Sequence, residues 1–246
     1  MSHRSFRANR TGIKAGTGAG ARNMSALAKK TRAALILCLG VVALPSASSA
    51  GARDPDRTAS SAKHASAHAG LFAGWVIASG DSRGLPFVIV DKMNAEVLVF
   101  YPDGRLRGAA PALLGMAHGD DSVPGIGQRK LSSITPKERT TPAGRFVASL
   151  GNDLGKKNIL WIDYNAALSL HRVIPTKSRE HRLATASILD NRISFGCINV
   201  PAKFFDTVVE PSFTGTKGTV YILPETRSIQ AVFPAYAVDE QMRQSN

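Results

Sequence analysis

The sequence predicts a mainly β domain, a β-sandwich or partly closed barrel carrying two short helices. Three observations lead there. Short runs rich in β-branched and aromatic residues recur between Gly and Pro, an Asp-Gly pair separates two of those runs in the manner of a hairpin, and two segments read as helices.

The first fifty residues stand apart. They hold eight Lys or Arg and no acid, then the apolar run from Ala33 to Pro45, then small residues as far as Ala50. A basic segment, a short apolar segment and small residues in that order read as a secretory signal peptide over residues 1–50, with Met1 or Met24 as the start. The apolar run is too short to span a bilayer comfortably, so no stable membrane insertion is expected once the signal is cleaved. Leu37, directly before Cys38, is too large for the usual lipid-attachment signal. Residues 51–85 are rich in Ala, Ser and Gly, with His64 and His68 four apart, and read as a flexible tether.

The domain is expected over residues 86–224, within the usual size for one core. Phe87–Asp91 and Glu96–Phe100 are strand-like, and Asp103-Gly104 is the turn before Leu106. Further strands are expected at Arg145–Leu150, Ile159–Ile162, Leu168–Ile174 and Thr219–Leu223. The helices are Lys177 to Ala186 and Pro201 to Val209. In the second, Pro201 suits a first helical turn, and Phe204, Phe205, Val208 and Val209 fall on one core-facing stripe. Residues 225–246 read as a loosely packed tail.

Charge narrows the partners. The formal net charge is +13, but the leader holds +8 of it, leaving +5 on residues 51–246. No tight Lys/Arg cluster with interleaved aromatics appears there, so no nucleic-acid partner is expected. A mildly cationic exported protein is drawn instead to anionic polymers such as cell wall. Asp120 and Asp121 read as a solvated loop pair, and His64 and His68 lack companion ligands, so neither a metal nor a cofactor is implied. Nothing in the sequence sets an oligomeric state.

Chemistry centres on Cys197, the one thiol left after removal of Cys38, in Arg192-Ile193-Ser194-Phe195-Gly196-Cys197-Ile198-Asn199-Val200-Pro201. An unpaired thiol in an oxidising compartment is kept for chemistry more often than for packing. The attacking species is the thiolate, so a base must activate it. His181 lies in a charged helix face and His64 and His68 in the tether, while His118 sits in a Gly/Asp/Pro-rich loop as a candidate substrate contact. His171 ends an apolar strand, on the face opposite Leu168 and Leu170, where a rigid scaffold aims it at a loop-borne nucleophile. Arg192 is suited either to a substrate carboxylate or to anchoring the loop through carbonyl oxygens. Ser194 is expected to hydrogen-bond within the turn, and Asn199 to cap or brace it.

These residues resemble the L,D-transpeptidases, bacterial cysteine enzymes that cross-link peptidoglycan. Ser194 to Val200 is similar to that family's active-site signature, His171 to its separate upstream histidine, and Thr141-Pro142-Ala143-Gly144-Arg145-Phe146 to its Thr-Pro-x-Gly-x-Phe segment. The resemblance covers roughly Pro86 to Leu223 and implies a β fold of the L,D-transpeptidase type. It also implies that His171 takes the thiol proton and Cys197 attacks the carbonyl of the third stem residue, releasing D-alanine. A second stem's amine then resolves the thioester, in the periplasm or cell wall, with the N–H groups of Gly196 and Cys197 holding the oxyanion. Two features depart from the family. Phe195 stands where a histidine is usual, and 26 positions separate His171 from Cys197, the excess being the Lys177–Ala186 segment, an expected lid. An L,D-carboxypeptidase using the same dyad, and a non-catalytic wall-binding protein, remain as alternatives.

Overall fold

The computed structural model describes residues 66–153, 155, 157–185 and 187–244. The expected signal peptide, His64 and most of the expected tether lie outside the described residues.

Helix α1 (Ala67–Ser79) comes first. Its start is fixed by the Ser66 hydroxyl, which accepts the Ala69 N–H at 3.1 Å, and its end by Gly80 in the left-handed region. This corrects the tether reading of residues 51–85 from Ser66 onward. The Ala- and Gly-rich composition hides a helical stripe, Ala69, Phe72, Ala73 and Val76, that is buried together with Trp75. His68 sits exposed on the opposite side.

Strands β1 (Phe87–Asp91), β2 (Glu96–Phe100) and β3 (Leu106–Pro111) form an antiparallel meander, with Gly104 taking the positive φ that its turn requires. A short β4 (Leu114–Gly115) follows, and then β5 (Gly144–Asn152), β6 (Asn158–Asp163) and β7 (Leu168–Arg172). Helix α2 (Lys177–Ala184) leads to β8 (Arg192–Ser194) and β9 (Ile198–Val200). Helix α3 (Ala202–Phe204) runs through a π-helical turn, Phe205–Val209, into α4 (Glu210–Phe213), with Pro201 as the cap before the helix rather than part of its first turn. Strand β10 (Lys217–Ile222), α5 (Ile229–Val232) and α6 (Pro234–Gln244) complete the order.

Eight strands form one sheet in the order β3-β2-β1-β10-β5-β6-β7-β9, with β1–β10 and β7–β9 parallel. The chain leaving edge strand β3 reaches the other edge. Leu113 and Asn199 exchange two backbone hydrogen bonds, and β4 pairs with β8, so the sheet closes into a barrel-like wrap. The mainly β class, nearly closed, is therefore the observed one, with more helices than the two expected.

Alternation along the strands gives each face its own core. Val88, Val90, Val97 and Val99 pack with Phe204, Phe205, Val209 and Phe213, whereas Phe87, Ile89, Leu98 and Tyr221 pack with α1. Ile229 and Phe233 join the second cluster, and the Trp75 indole donates to Asp239 at 2.7 Å. Of the expected tail, residues 225–246, the described part to residue 244 is therefore not loose, because its apolar stripe covers α1. Among the described residues no helix is long and apolar enough to cross a membrane.

Candidate active site

Parallel pairing of β7 with β9 sets the geometry. The register places Leu170 beside Ile198 and His171 beside Asn199, which brings Cys197, one residue before β9, level with Ser169. Leu168 and Leu170 point into the core, so Ser169 and His171 share the opposite face. The Cys197 sulfur lies 3.5 Å from the Ser169 hydroxyl and 3.4 Å from the Ala167 carbonyl. Ala167 ends the β6–β7 turn with a positive φ of 49°, a conformation that L-residues rarely adopt.

The imidazole has a defined tautomer. His171 Nδ1 sits 2.8 Å from the Arg172 carbonyl, which can only accept, so Nδ1 carries a proton in either charge state and Nε2 is the nitrogen that gains or loses the second one. Burial pushes the Cys197 thiol up, but hydrogen bonding to His171 and Ser169, with the imidazole's charge, holds it below the ordinary thiol range. Burial pushes His171 down, and the hydrogen bond and charge of Cys197, the Arg172 carbonyl and the charge of Asp153 raise it above its usual value. The two shifts together favour a thiolate–imidazolium pair.

The turn that carries Cys197 is braced from several sides. Ser194 Oγ donates to the Cys197 carbonyl at 2.7 Å and accepts the Gly196 N–H at 3.0 Å, while Asn199 Nδ2 donates to the same carbonyl at 3.0 Å. Ser194 thus hydrogen-bonds within the turn, and buried Asn199 braces it. Gly196 has φ 130°, and a Cβ there would lie 2.7 Å from the Thr140 carbonyl oxygen, so only glycine fits. Since its N–H is already given to Ser194, Gly196 is not an available oxyanion donor, a correction to the expected pair. The Cys197 N–H has no acceptor among the described residues.

Two cavities meet at Cys197. One of about 800 Å³ runs past His171, Trp161, Ile174 and Asp153, and a smaller one of about 130 Å³ lies against Phe195, Ile126 and Pro142; Ala167, Leu131 and Cys197 belong to both. Phe195 is 39 % exposed, with the Arg139 guanidinium 3.9 Å from its ring centroid. The expected lid is absent from both linings. Helix α2 buries no side chain, lies on the surface and carries His181 exposed.

Arg192, His118 and Asp120 belong to something else. Lys92, whose side chain is fully buried, donates to Asp120 at 2.6 Å, to the Gly119 carbonyl at 2.7 Å and to the Thr141 carbonyl at 2.8 Å. Glu225, equally buried, accepts from Arg192 and from the Gly119 N–H and faces His118 at 3.1 Å. Arg192 is thus an anchor, held by a carboxylate and by the Lys92 carbonyl, and not a free substrate contact. His118 leans outward against Glu225 and lines neither cavity. Asp120 is no solvated loop acid. Burial pushes its carboxyl up, yet Lys92 and four donors from Glu225, Thr226 and Arg227 hold it well below the carboxylate range. Asp121 does remain exposed, paired with Arg227.

Ser169 and Thr141 are the site residues that the sequence reading passed over. Ser169 carried a signal, two positions before His171 on the same strand face. Among the described residues no group of three or more His, Cys, Asp or Glu side chains is placed to hold a metal.

No family model matches the chain, and neither does any curated protein sequence. Among solved structures it is similar to the helical cell shape determining protein Pgp2 from Campylobacter jejuni, at 15 % identity and TM-score 0.39 over 58 % of this chain and 49 % of that one. It is also similar to the L,D-transpeptidase LdtMt1 in complex with imipenem, at 13 % identity and TM-score 0.32 over 56 % of this chain and 58 % of that one. The chain therefore spans about half the length of these structures.

Proposed function

We propose that the chain is an exported cysteine acyltransferase that forms L,D cross-links between peptidoglycan stem peptides through a thioester on Cys197. The observation that carries this reading is the meeting of two cavities at a thiol whose proton affinity is lowered by His171 and Ser169. A transferase must seat a donor and an acceptor on either side of one sulfur.

The chemistry follows from the residues. The Cys197 thiolate attacks the carbonyl carbon of the third stem residue, and the Cys197 N–H faces the oxygen that gains charge. The C–N bond to the terminal D-alanine breaks, and the imidazolium of His171 returns its proton to that leaving amine. A second stem's side-chain amine loses a proton to His171, attacks the thioester carbonyl and releases the thiolate. Resolution by water would make the same dyad a carboxypeptidase. A purely structural thiol would have no need of a tautomer-fixed imidazole beside it.

The test is to incubate residues 51–246 with a disaccharide-tetrapeptide and read the products by mass spectrometry. Dimer formed with loss of alanine is the expected outcome, absent with Cys197→Ala. Tripeptide alone would move the assignment to hydrolysis. Unchanged substrate together with no acyl adduct on Cys197 would end both enzymatic readings.

A further inference from the structure

We infer that Thr141 is a positioning residue for the oxyanion donor, acting through the peptide unit that joins Gly196 to Cys197. The inference rests on the acyl-transfer reading of the site. With the Gly196 N–H committed to Ser194 Oγ at 3.0 Å, the Cys197 N–H is the member of the expected oxyanion pair left to meet a developing negative charge. Its direction therefore matters.

That direction is set from the other end of the same peptide. The Gly196–Cys197 peptide is trans, like every other among the described residues, so the Gly196 carbonyl and the Cys197 N–H lie in one plane and point in opposite directions. Thr141 Oγ1 donates to the Gly196 carbonyl oxygen at 2.7 Å, and fixing that oxygen fixes the N–H behind it. A carbonyl that accepts a hydrogen bond also polarises its peptide, which makes the N–H on the far side a stronger donor.

Thr141 is held so that its hydroxyl has one choice. The side chain is fully buried, and Oγ1 accepts the Gly115 N–H at 2.8 Å, which leaves its single proton for Gly196. Its own carbonyl takes a hydrogen bond from Lys92 Nζ at 2.8 Å, and Lys92 is fastened in turn to Asp120. The backbones of residues 140 and 196 touch, since a Cβ on Gly196 would lie 2.7 Å from the Thr140 oxygen, so the turn cannot drift from the hydroxyl that orients it. The ion network around Lys92 thus reaches the reaction centre through one threonine without touching substrate.

The experiment separates acylation, which needs the oxyanion donor, from alkylation, which needs only the thiolate. Acylation is read as the p-nitrophenolate burst from p-nitrophenyl acetate, with Cys197→Ala as the blank, and alkylation as the rate and pH midpoint with iodoacetamide. Thr141→Val is expected to lower the burst rate about 10- to 100-fold, short of the roughly 10²–10³-fold that follows complete removal of such a donor. Its alkylation rate and midpoint stay within about twofold of the wild type, because His171 and Ser169 set the thiolate. Thr141→Ser keeps the hydroxyl and is expected to restore the burst.

Equal bursts from Thr141→Val and wild type would overturn the inference, as would acylation and alkylation falling together, which would mark a merely structural role. A wild type that alkylates but gives no burst would overturn it as well. A wild type that gives the burst yet leaves muropeptides untouched would refute the peptidoglycan reading and leave Thr141 its role. If circular dichroism shows Thr141→Val unfolded, Thr141→Ala removes the hydroxyl without crowding, and the same two readouts decide.

Discussion

Replacing Glu96 with Gln is expected to stabilise the protein above neutral pH and to leave it unchanged in acid. Glu96 on β2 lies directly across from Asp91 on β1, and both side chains face the start of α1. Asp91 has donors, the Ser66 hydroxyl and the main-chain and side-chain nitrogens of Asn94. Glu96 is 8 % exposed, and its Oε2 has no partner among the described residues. Burial first, and then the charge of Asp91, raise its carboxyl from the ordinary 4.5 to about 7. A raised acid binds its proton more tightly in the folded chain than in the unfolded one, so its contribution is complete below pH 4.5 and lost as pH climbs through 7. At 1.36 kcal/mol per tenfold, the loss comes to about 3 kcal/mol by pH 8. Gln keeps the shape and never ionises. Urea denaturation of both proteins at pH 4, 6 and 8 would show differences of about 0, 2 and 3 kcal/mol in favour of Glu96→Gln. Taking the difference cancels the remaining groups, including Asp120 and Glu225, whose lowered carboxyls act in the opposite sense. A gap independent of pH, or one that widens in acid, would refute the account of Glu96.

Three further outcomes can be measured. Ser169→Ala removes one of the three hydrogen bonds that favour the Cys197 thiolate, so the midpoint of iodoacetamide alkylation moves to higher pH while circular dichroism is unchanged; an unmoved midpoint would leave the Ser169 hydroxyl without a part in activation. Lys92→Met removes the cation facing the fully buried Asp120 carboxylate, which keeps its four other donors, and is expected to cost about 3–5 kcal/mol in urea denaturation, and a loss under 1 kcal/mol would mean that those donors suffice. Phe72→Ala opens a hole between α1, Tyr221 and Phe233 and is expected to cost about 3–5 kcal/mol, whereas a true linker would lose nothing.

Much of the fold was readable where the periodicity was strong. Phe87–Asp91 and Glu96–Phe100 appear with the bounds expected from their apolar runs, and the Asp103-Gly104 turn joins the second to β3. Helix α1 was missed because its buried stripe is built partly from Ala, and Ala-rich segments resemble linkers by composition while favouring helix by propensity. Strands β8 and β9 are three residues each, too short for any alternation to register. At the site, Cys197 and His171 stood out as a lone thiol and a strand-end histidine. Arg192 stood out too, with its role left open between substrate and anchor, but Lys92, Asp120 and Glu225 did not, because they lie far apart in sequence and each looks like an ordinary surface charge until the fold brings them together. Thr141 sat in a recognised segment, but which hydroxyl reaches which carbonyl is a property of tertiary contact alone.

The order of strands has a consequence for how the chain is born. Strand β10 occupies the middle of the sheet, between β1 and β5, yet it is the last of the ten to leave the ribosome. Until it arrives, β3-β2-β1 and β5-β6-β7-β9 are two ribbons that meet across their outer edges, at Leu113–Asn199 and β4–β8, but share no central strand, and the parallel β1–β10 seam closes one of the longest loops in the chain. The wall behind Cys197 is therefore finished late: the thiol is synthesised before the keystone strand that ties the two ribbons into one sheet.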